Sequence, residues 1–386
     1  MDTTAPPGGA PRSVLTADHE MFRTQVRRFF EREIVPYHRD WERAEIVPRE
    51  VWRKAGAEGL LCPMLAEEYG GAGADFGYSA VIIEEIGRTN ASGIGFPLHS
   101  DIVVPYIEAL AQPEKKREWL PRMAKGEMIT AIAMTEPGMG SDLKAVRTTA
   151  RRDGSDWVIN GSKTFISNGQ NCGLVIVVCK TDPGAGRKGI SLICVEEGTP
   201  GFTKGRNLEK IGLHAADTSE LFFDEVRVPA ENLLGEENAG FSYLIRNLPQ
   251  ERLVIAIRAA ASMEAMLQKT IDYAKDRKVF NQTVFDFQHN RFKLAELKAN
   301  ATMFRVFADH CLALHMNGGL SVEMAATAKL LGTEMQNRLL DDCLQMHGGY
   351  GYMAEYEIGR AWADARVGRI YGGSSEIMKE IIARTL

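Results

Sequence analysis

Apolar residues recur every three to four positions along two early stretches of the chain. Met21, Phe22, Val26, Phe29 and Phe30 form one, and Ala80, Val81, Ile83 and Ile86 form the other. A 3.6-residue repeat places such positions on one helix face. Both stretches therefore predict amphipathic helices, within a helical region spanning residues 13–128. Glycine-rich breaks such as Tyr69-Gly70-Gly71-Ala72-Gly73 separate its helices. Near Glu127 the pattern shifts to short runs: Ile129 to Met134, Trp157 to Ile159, Leu174 to Val178, Ile190 to Val195 and Leu221 to Phe223. Punctuated by turn residues, these predict strands. Asp153-Gly154 and Asn160-Gly161 read as hairpin turns, because type I′ turns need two residues at positive φ. Residues 129–237 are thus expected to form an antiparallel β-domain. From 238 to 386 helical periodicity returns in long runs, Leu253 to Asp276, Gln288 to Met316 and Ser321 to His347. Such lengths suit an antiparallel bundle. The expected class is α+β, mainly α, with no continuous βαβ alternation to suggest a doubly wound nucleotide fold. Residues 1–12, rich in Pro, Gly and Thr, read as a disordered tail.

Composition narrows the functional classes. At 386 residues and 45% hydrophobic, the chain can bury a large core. No apolar run is long enough to span a bilayer, and the N-terminus has neither a signal-like nor an Arg-rich import segment. The expectation is a cytoplasmic, bacterial protein with no membrane partner. The six cysteines form no CxxC pair, so reduced core residues are expected rather than zinc ligands or disulfides. There is no HExxH, His310 and His315 are five apart, and histidines here are read as structural, so no metal site is expected. A net charge of −5 argues against nucleic acid as a partner, since phosphate binding needs a concentrated basic face.

Conventional nucleotide motifs are missing. Gly161-Ser162-Lys163-Thr164 lacks the upstream glycine spacing of a phosphate loop. A denser signal is Ala133-Met134-Thr135-Glu136-Pro137-Gly138-Met139-Gly140-Ser141-Asp142, whose glycines admit a close ligand and whose hydroxyls can bond one. This run, the Ile159–Gly169 run INGSKTFISNG and the closing Ile370–Arg384 run IYGGSSEIMKEIIAR resemble the acyl-CoA dehydrogenase family, in the same order and across nearly the whole chain. Leu248–Leu253, Ile211–Ala215 and Gln345–Tyr352 are similar to its long-chain branch.

The resemblance implies a helical N-terminal domain, a β middle domain and a C-terminal four-helix bundle, with FAD between the last two. It implies that Met134, Thr135, Phe165 and Ser167 border the flavin ring, with Phe165 standing where many members carry Trp. Gly140 and Ser141 would approach cofactor phosphate or the CoA pantetheine, and Ser374 and Glu376 would lie beside the cofactor. Arg277, Phe280, Gln288, Gln345, Gly348 and Gly349 would reach the FAD of a neighbouring subunit, which implies an oligomer, a homotetramer built as a dimer of dimers. Read alone, Arg277 is a solvated charge or a partner of a helix dipole. The large residue Met139 has no evident reason from sequence.

The reaction implied is α,β-dehydrogenation of a medium- to long-chain acyl-CoA, as in fatty acid β-oxidation, with electrons passing to an electron-transfer flavoprotein. A flavoprotein oxidase or monooxygenase, a branched or terpenoid acyl-CoA dehydrogenase, and a non-catalytic nucleic-acid-binding relative are the alternatives. Many members carry the base directly after the Tyr of the closing motif. Here that position is Gly372, which has no base to offer. In one branch the base is a Glu on the long helix, at the position of Glu251, and the Pro249-Gln250-Glu251-Arg252 match implies that role. Read alone, Glu251 is an acid near a helix start led by Pro249. Glu376 is the competing base. The Gly372 backbone N–H is expected to bind the thioester carbonyl, and Arg252 to order the substrate site.

Overall fold

A computed structural model describes residues 12–386. Six helices come first: α1 (Ala17–Phe29), α2 (His38–Ala44), α3 (Arg49–Ala57), α4 (Phe76–Thr89), α5 (Val104–Leu110) and α6 (Pro113–Ala124). Both predicted amphipathic stretches are helical. Val26, Phe29 and Phe30 of the first are buried, as are Ala80, Val81, Ile83 and Ile86 of the second, while Met21 faces solvent. Asp75 caps α4 by accepting the Gly77 N–H at 2.7 Å, satisfying a donor that the first turn leaves free. Residues 1–11 of the expected tail lie outside the described residues. Arg12, at its end, is held by Glu84 and Asp309.

Seven strands follow: β1 (Thr130–Ala133), β2 (Thr149–Asp153), β3 (Asp156–Ser167), β4 (Leu174–Lys180), β5 (Ile190–Glu196), β6 (Phe202–Asn207) and β7 (Thr218–Pro229). They form one sheet in the order β1-β4-β2-β3-β7-β6, with β5 also on β4. The sheet is mixed rather than purely antiparallel, because β1 and β4 run parallel. Along β4, Leu174, Ile176 and Val178 face the helical core while Val175, Val177 and Cys179 face a second core inside the β-domain. Burial of both faces explains an unbroken apolar run. The β2–β3 hairpin pairs Asp153 with Asp156, so its loop is Gly154-Ser155 rather than Asp153-Gly154. Only Gly154 there has positive φ, which suits a type II′ turn. Asn160-Gly161 is not a turn. It lies inside β3, where the register with β7 shifts beside Gly161. Strands β2 and β6, largely polar and with a single buried position between them, carry no apolar signal.

The C-terminal helices are α7 (Gly240–Asp276), a hairpin of β8 (Lys278–Val279) and β9 (Gln282–Thr283), α8 (Gln288–Met316), α9 (Val322–His347), α10 (Glu357–Ala365) and α11 (Ser375–Ala383). The bundle has three long helices, and the short α10 and α11 complete it by packing on α9. Helix α7 begins well before the predicted Leu253, and Pro249 sits inside it rather than in its first turn. Packing against α4, α8, α9 and β5 holds the helix through the missing proline N–H. All six cysteines are free and buried. Among the described residues, no helix is long and apolar enough to cross a membrane, and no cluster of potential metal ligands occurs.

Glu84 on α4 joins the N-terminal part to the bundle. Its carboxylate takes Arg12, Arg23 of α1 and Arg305 of α8, each at 2.8 Å. Burial alone raises the Glu84 pKa, but the charges of Arg305, Arg12 and Arg23 outweigh it and hold the carboxyl well below the usual range. Removing one partner of a buried ion cluster strands the others. Glu84→Ala is expected to lower stability by about 3–5 kcal/mol, seen as an earlier urea unfolding midpoint.

Candidate active site

On the β-domain, a buried lysine holds the segment Met134–Gly140 against β3. Lys163 has 0% exposure and donates to the Met134 carbonyl at 3.1 Å, to Glu136 Oε1 at 2.9 Å and to the Val178 carbonyl at 2.6 Å. Glu136 also accepts from the Thr148 N–H and hydroxyl and from the Arg147 N–H. The Thr164 N–H donates to the Thr135 carbonyl at 2.9 Å. The two motif runs, separated in sequence by residues 143–158, are therefore one surface. Met134 and Thr135 are half-buried in it, and Ser141, Ser167 and Gly140 are exposed. A Cβ at Gly140 would meet nothing within 4 Å, so the loop is open to a ligand. Met139 now has a reason. Its side chain enters the helical core while its backbone pairs reciprocally with Glu136 at 3.0 Å.

Phe165 adopts φ 58 within a bulge of β3, and its ring is 68% exposed. An aromatic residue in the left-handed region is an outlier that surrounding structure must enforce. The enforced conformation presents a bare aromatic face beside Met134 and Thr135, as a planar ring system requires.

Glu251 lies on α7, 7% exposed. Burial raises its pKa from the usual 4.5 to about 7, opposed by the Tyr106 hydroxyl and the charge of Arg252. Tyr106 of α5 donates to Glu251 Oε1 at 2.9 Å. Arg252 is buried too, and its Nε and one Nη make no hydrogen bond with the described residues. One helical turn beyond Glu251, on the same face, Ile255 meets the closing turn. A Cβ on Gly372 would stand 2.6 Å from Ile255 Cδ1. Gly372 and Gly373 have φ 63 and 96, a left-handed pair that opens this turn without steric cost. The turn is fastened by Lys329 of α9, which donates to the Gly373 carbonyl at 2.5 Å, and by Arg258 of α7, which donates to the Tyr371 hydroxyl.

Ser374 caps α11, and Glu376 stands in its first turn, exposed. Its own backbone N–H and the Ser374 hydroxyl lower the Glu376 pKa. Glu251 and Glu376 thus move in opposite directions.

The second predicted cluster is brought together in part. Arg277, Gln345, Gly348 and Gly349 line an open cleft of about 520 Å³. The two glycines have no atom within 4 Å of a Cβ, so the floor of the cleft is bare backbone. Arg277 lies over the Tyr350 ring at 5.2 Å and has no ion pair among the described residues, leaving its fork for an anion. Phe280 and Gln288 are outside this lining. Phe280 is 90% exposed at the tip of the β8–β9 hairpin, and Gln288 opens α8. An exposed aromatic ring on one surface and, on another, a guanidinium without an ion pair among the described residues in a glycine-lined cleft fit a flavin dinucleotide. Tyr106, Lys163 and Lys329 were not anticipated. Tyr106 and Lys329 sit in apolar helical runs without any motif, and only a lysine amid strand residues marked Lys163 for attention.

An exposed aromatic surface and a buried carboxyl held near neutrality are what a flavin-dependent dehydrogenase needs. The comparisons agree. The chain matches "Acyl-CoA dehydrogenase, N-terminal domain" over residues 16–127, the middle domain over 131–226 and the C-terminal domain over 238–386. It belongs to the acyl-CoA dehydrogenase family, oxidoreductases that depend on FAD. It is 52% identical over 377 residues to the mitochondrial long-chain specific acyl-CoA dehydrogenase of Sus scrofa, covering 97% of this chain and 88% of that one. An acyl-CoA dehydrogenase of Bacillus subtilis (strain 168) is 37% identical over 96% of this chain and 98% of its own. The crystal structure of acyl-CoA dehydrogenase from Geobacillus kaustophilus superposes with a TM-score of 0.96 at 50% identity, covering 97% of this chain and 99% of that one.

If Phe165 carries part of the flavin contact, Phe165→Ala should weaken FAD binding by roughly 2- to 12-fold, the worth of one aromatic pair. Flavin fluorescence released on dilution measures it.

Proposed function

We propose that this enzyme oxidises medium- to long-chain acyl-CoA thioesters to trans-2-enoyl-CoA, with Glu251 removing the α-proton. The carrying observation is the buried Glu251 carboxyl, its pKa raised to about 7, on the α7 face that meets a glycine at position 372. A base with a pKa near working pH is both ionised and able to take a proton. Glu376 is exposed with a lowered pKa, which suits a helix-capping acid better than a base. The similarity to a long-chain specific enzyme supports the chain-length range.

FAD, when bound, supplies the hydride acceptor for the β-carbon. Met134, Thr135, Phe165 and Ser167 would border its ring, with Ser374 and Glu376 alongside. Gly140 and Ser141 would meet phosphate or pantetheine. The Gly372 N–H, free of any side chain, would donate to the thioester carbonyl and steady the charge that develops there. Arg252 would order that end of the substrate. Arg277, Phe280, Gln288, Gln345, Gly348 and Gly349 would serve the cofactor of a neighbouring copy. The outer face of α8 supports an oligomer, in our reading a homotetramer, since Phe292, Ala295, Ala299, Met303 and Val306 form an exposed stripe at helical spacing. The reading is completed by a cytoplasmic location and an electron-transfer flavoprotein as acceptor.

Mixed without oxygen with octanoyl- or palmitoyl-CoA, the wild-type flavin should bleach rapidly, and Glu251→Gln should slow this by about 10²–10⁴-fold. Bleaching at the wild-type rate in the variant would sink the assignment. The raised pKa sets the pH dependence. The reduction rate should climb as pH rises through about 7, where Glu251 ionises. Between 4.5 and about 7 the folded protein keeps a proton that the unfolded chain has released, so ionising Glu251 costs stability as pH rises. Glu251→Gln should therefore unfold later than wild type at pH 8, measured by thermal melting. Separately, Val306→Asp should reduce the assembly to smaller species in light scattering.

A further inference from the structure

The acid on α7 is not positioned by its own helix. Tyr106 has 0% exposure and comes from the N-terminal domain, and its hydroxyl is the one donor outside α7 that bonds Glu251 among the described residues. The neighbouring residue is gripped from the same segment. Gln250 Nε2 donates to the Asp101 carbonyl at 2.6 Å, and His315 of α8 lies 3.1 Å from Gln250 Oε1. Residues 101–106 thus hold two successive side chains of α7.

We propose that Tyr106 is a positioning residue for the dehydrogenation, fixing the Glu251 carboxyl in one orientation and favouring its ionised form. This rests on the reading of Glu251 as the base. A tyrosine hydroxyl has a single proton to donate, and here it goes to the carboxyl. A donor to a carboxylate stabilises the charged form, and does so most where water is excluded. The other groups facing the carboxyl act less directly. Arg252, next to it on α7, contributes charge but no hydrogen bond. Lys329 of α9 faces Arg252 and is committed to the Gly373 carbonyl. Arg246 and Asn247 of α7 lie towards the Tyr106 hydroxyl. On the Gln250 side, the Asp101 carboxyl is turned away to the Ser79 hydroxyl at 2.6 Å, and the neutral form of His315 is favoured by burial. Among the described residues, only Tyr106 reaches the Glu251 carboxyl with a side-chain hydrogen bond.

The test uses the FAD-loaded enzyme, mixed with octanoyl-CoA without oxygen between about pH 6 and 9. Wild type, Tyr106→Phe, Glu251→Gln and the double variant are compared. Phenylalanine keeps the ring and its packing, so FAD content and octanoyl-CoA affinity should stay at wild-type values. The pH at which flavin reduction rises should move up by about one unit in Tyr106→Phe, making it about fivefold slower at pH 7, approaching tenfold by about pH 6, and recovering as pH increases. In the Glu251→Gln background the same change should alter the residual rate less than about twofold, because no titrating carboxyl remains. An unchanged pH profile in Tyr106→Phe overturns the proposal. Equal slowing in both backgrounds also overturns it, since that marks a packing effect alone. Full-speed reduction by Glu251→Gln would instead remove the base assignment, and the proposal with it.

Discussion

Four charges meet at Glu84, and the placement of the N-terminal helices on the bundle turns on that meeting. Its carboxylate binds guanidinium groups from the chain start, α1 and α8. Such clusters are weak evidence of net stability, because each charge is taken out of water, but a wrong register would leave several of them unpaired. Beside it, Gly87 lets α4 lie directly on α7. A Cβ there would come within 2.7 Å of the Arg258 carbonyl. With α4 fixed on α7, the segment that follows it arrives with Asp101 and Tyr106 against Gln250 and Glu251. The environment of the acid is therefore a consequence of domain docking.

A second buried pair does similar work in the β-domain. Lys163 and Glu136 sit within the sheet and share their remaining bonds with backbone carbonyls, amides and a threonine hydroxyl. A pair so fully satisfied acts as a staple between the Met134–Gly140 segment and β3. It is next to this staple that Phe165 holds its left-handed backbone. Strain of that kind costs about 1–3 kcal/mol and persists only where neighbours impose it. The local rule is broken where the fold presents an aromatic face to a ligand, which is where such violations are expected.

The two acids considered for proton abstraction show how placement sets chemistry. Glu376 stands in the first turn of α11 in water, where amide and hydroxyl donors favour its charge. Glu251 stands in the middle of α7, where burial disfavours charge and one tyrosine partly offsets it. Identical side chains are pushed in opposite directions by solvent access and by the number of donors.

Much of this was legible in the chain. Hydrophobic period separated helical, strand and helical regions, and α8 was read to its ends because a long amphipathic run has clear limits. The three motif runs led to the family and drew attention to Met134, Thr135 and Phe165, while the separate Pro249-Gln250-Glu251-Arg252 match, with glycine at 372, drew attention to Glu251. Where the reading failed, contacts distant in sequence were responsible. The start of α7 was placed late because Pro249 is a helix breaker locally, and only packing along its length overrules that. The β1–β4 pair is parallel because strand direction depends on which strands become neighbours. Asn160-Gly161 has turn composition but was drawn into β3 by pairing with β7. What the sequence by itself determined is the order of elements, the apolar faces and the presence of an acid at 251 with none at 372, because these are properties of neighbouring residues. What only the tertiary structure decided is that Glu251 is buried and bonded to Tyr106, because burial and hydrogen bonding arise between segments 145 positions apart.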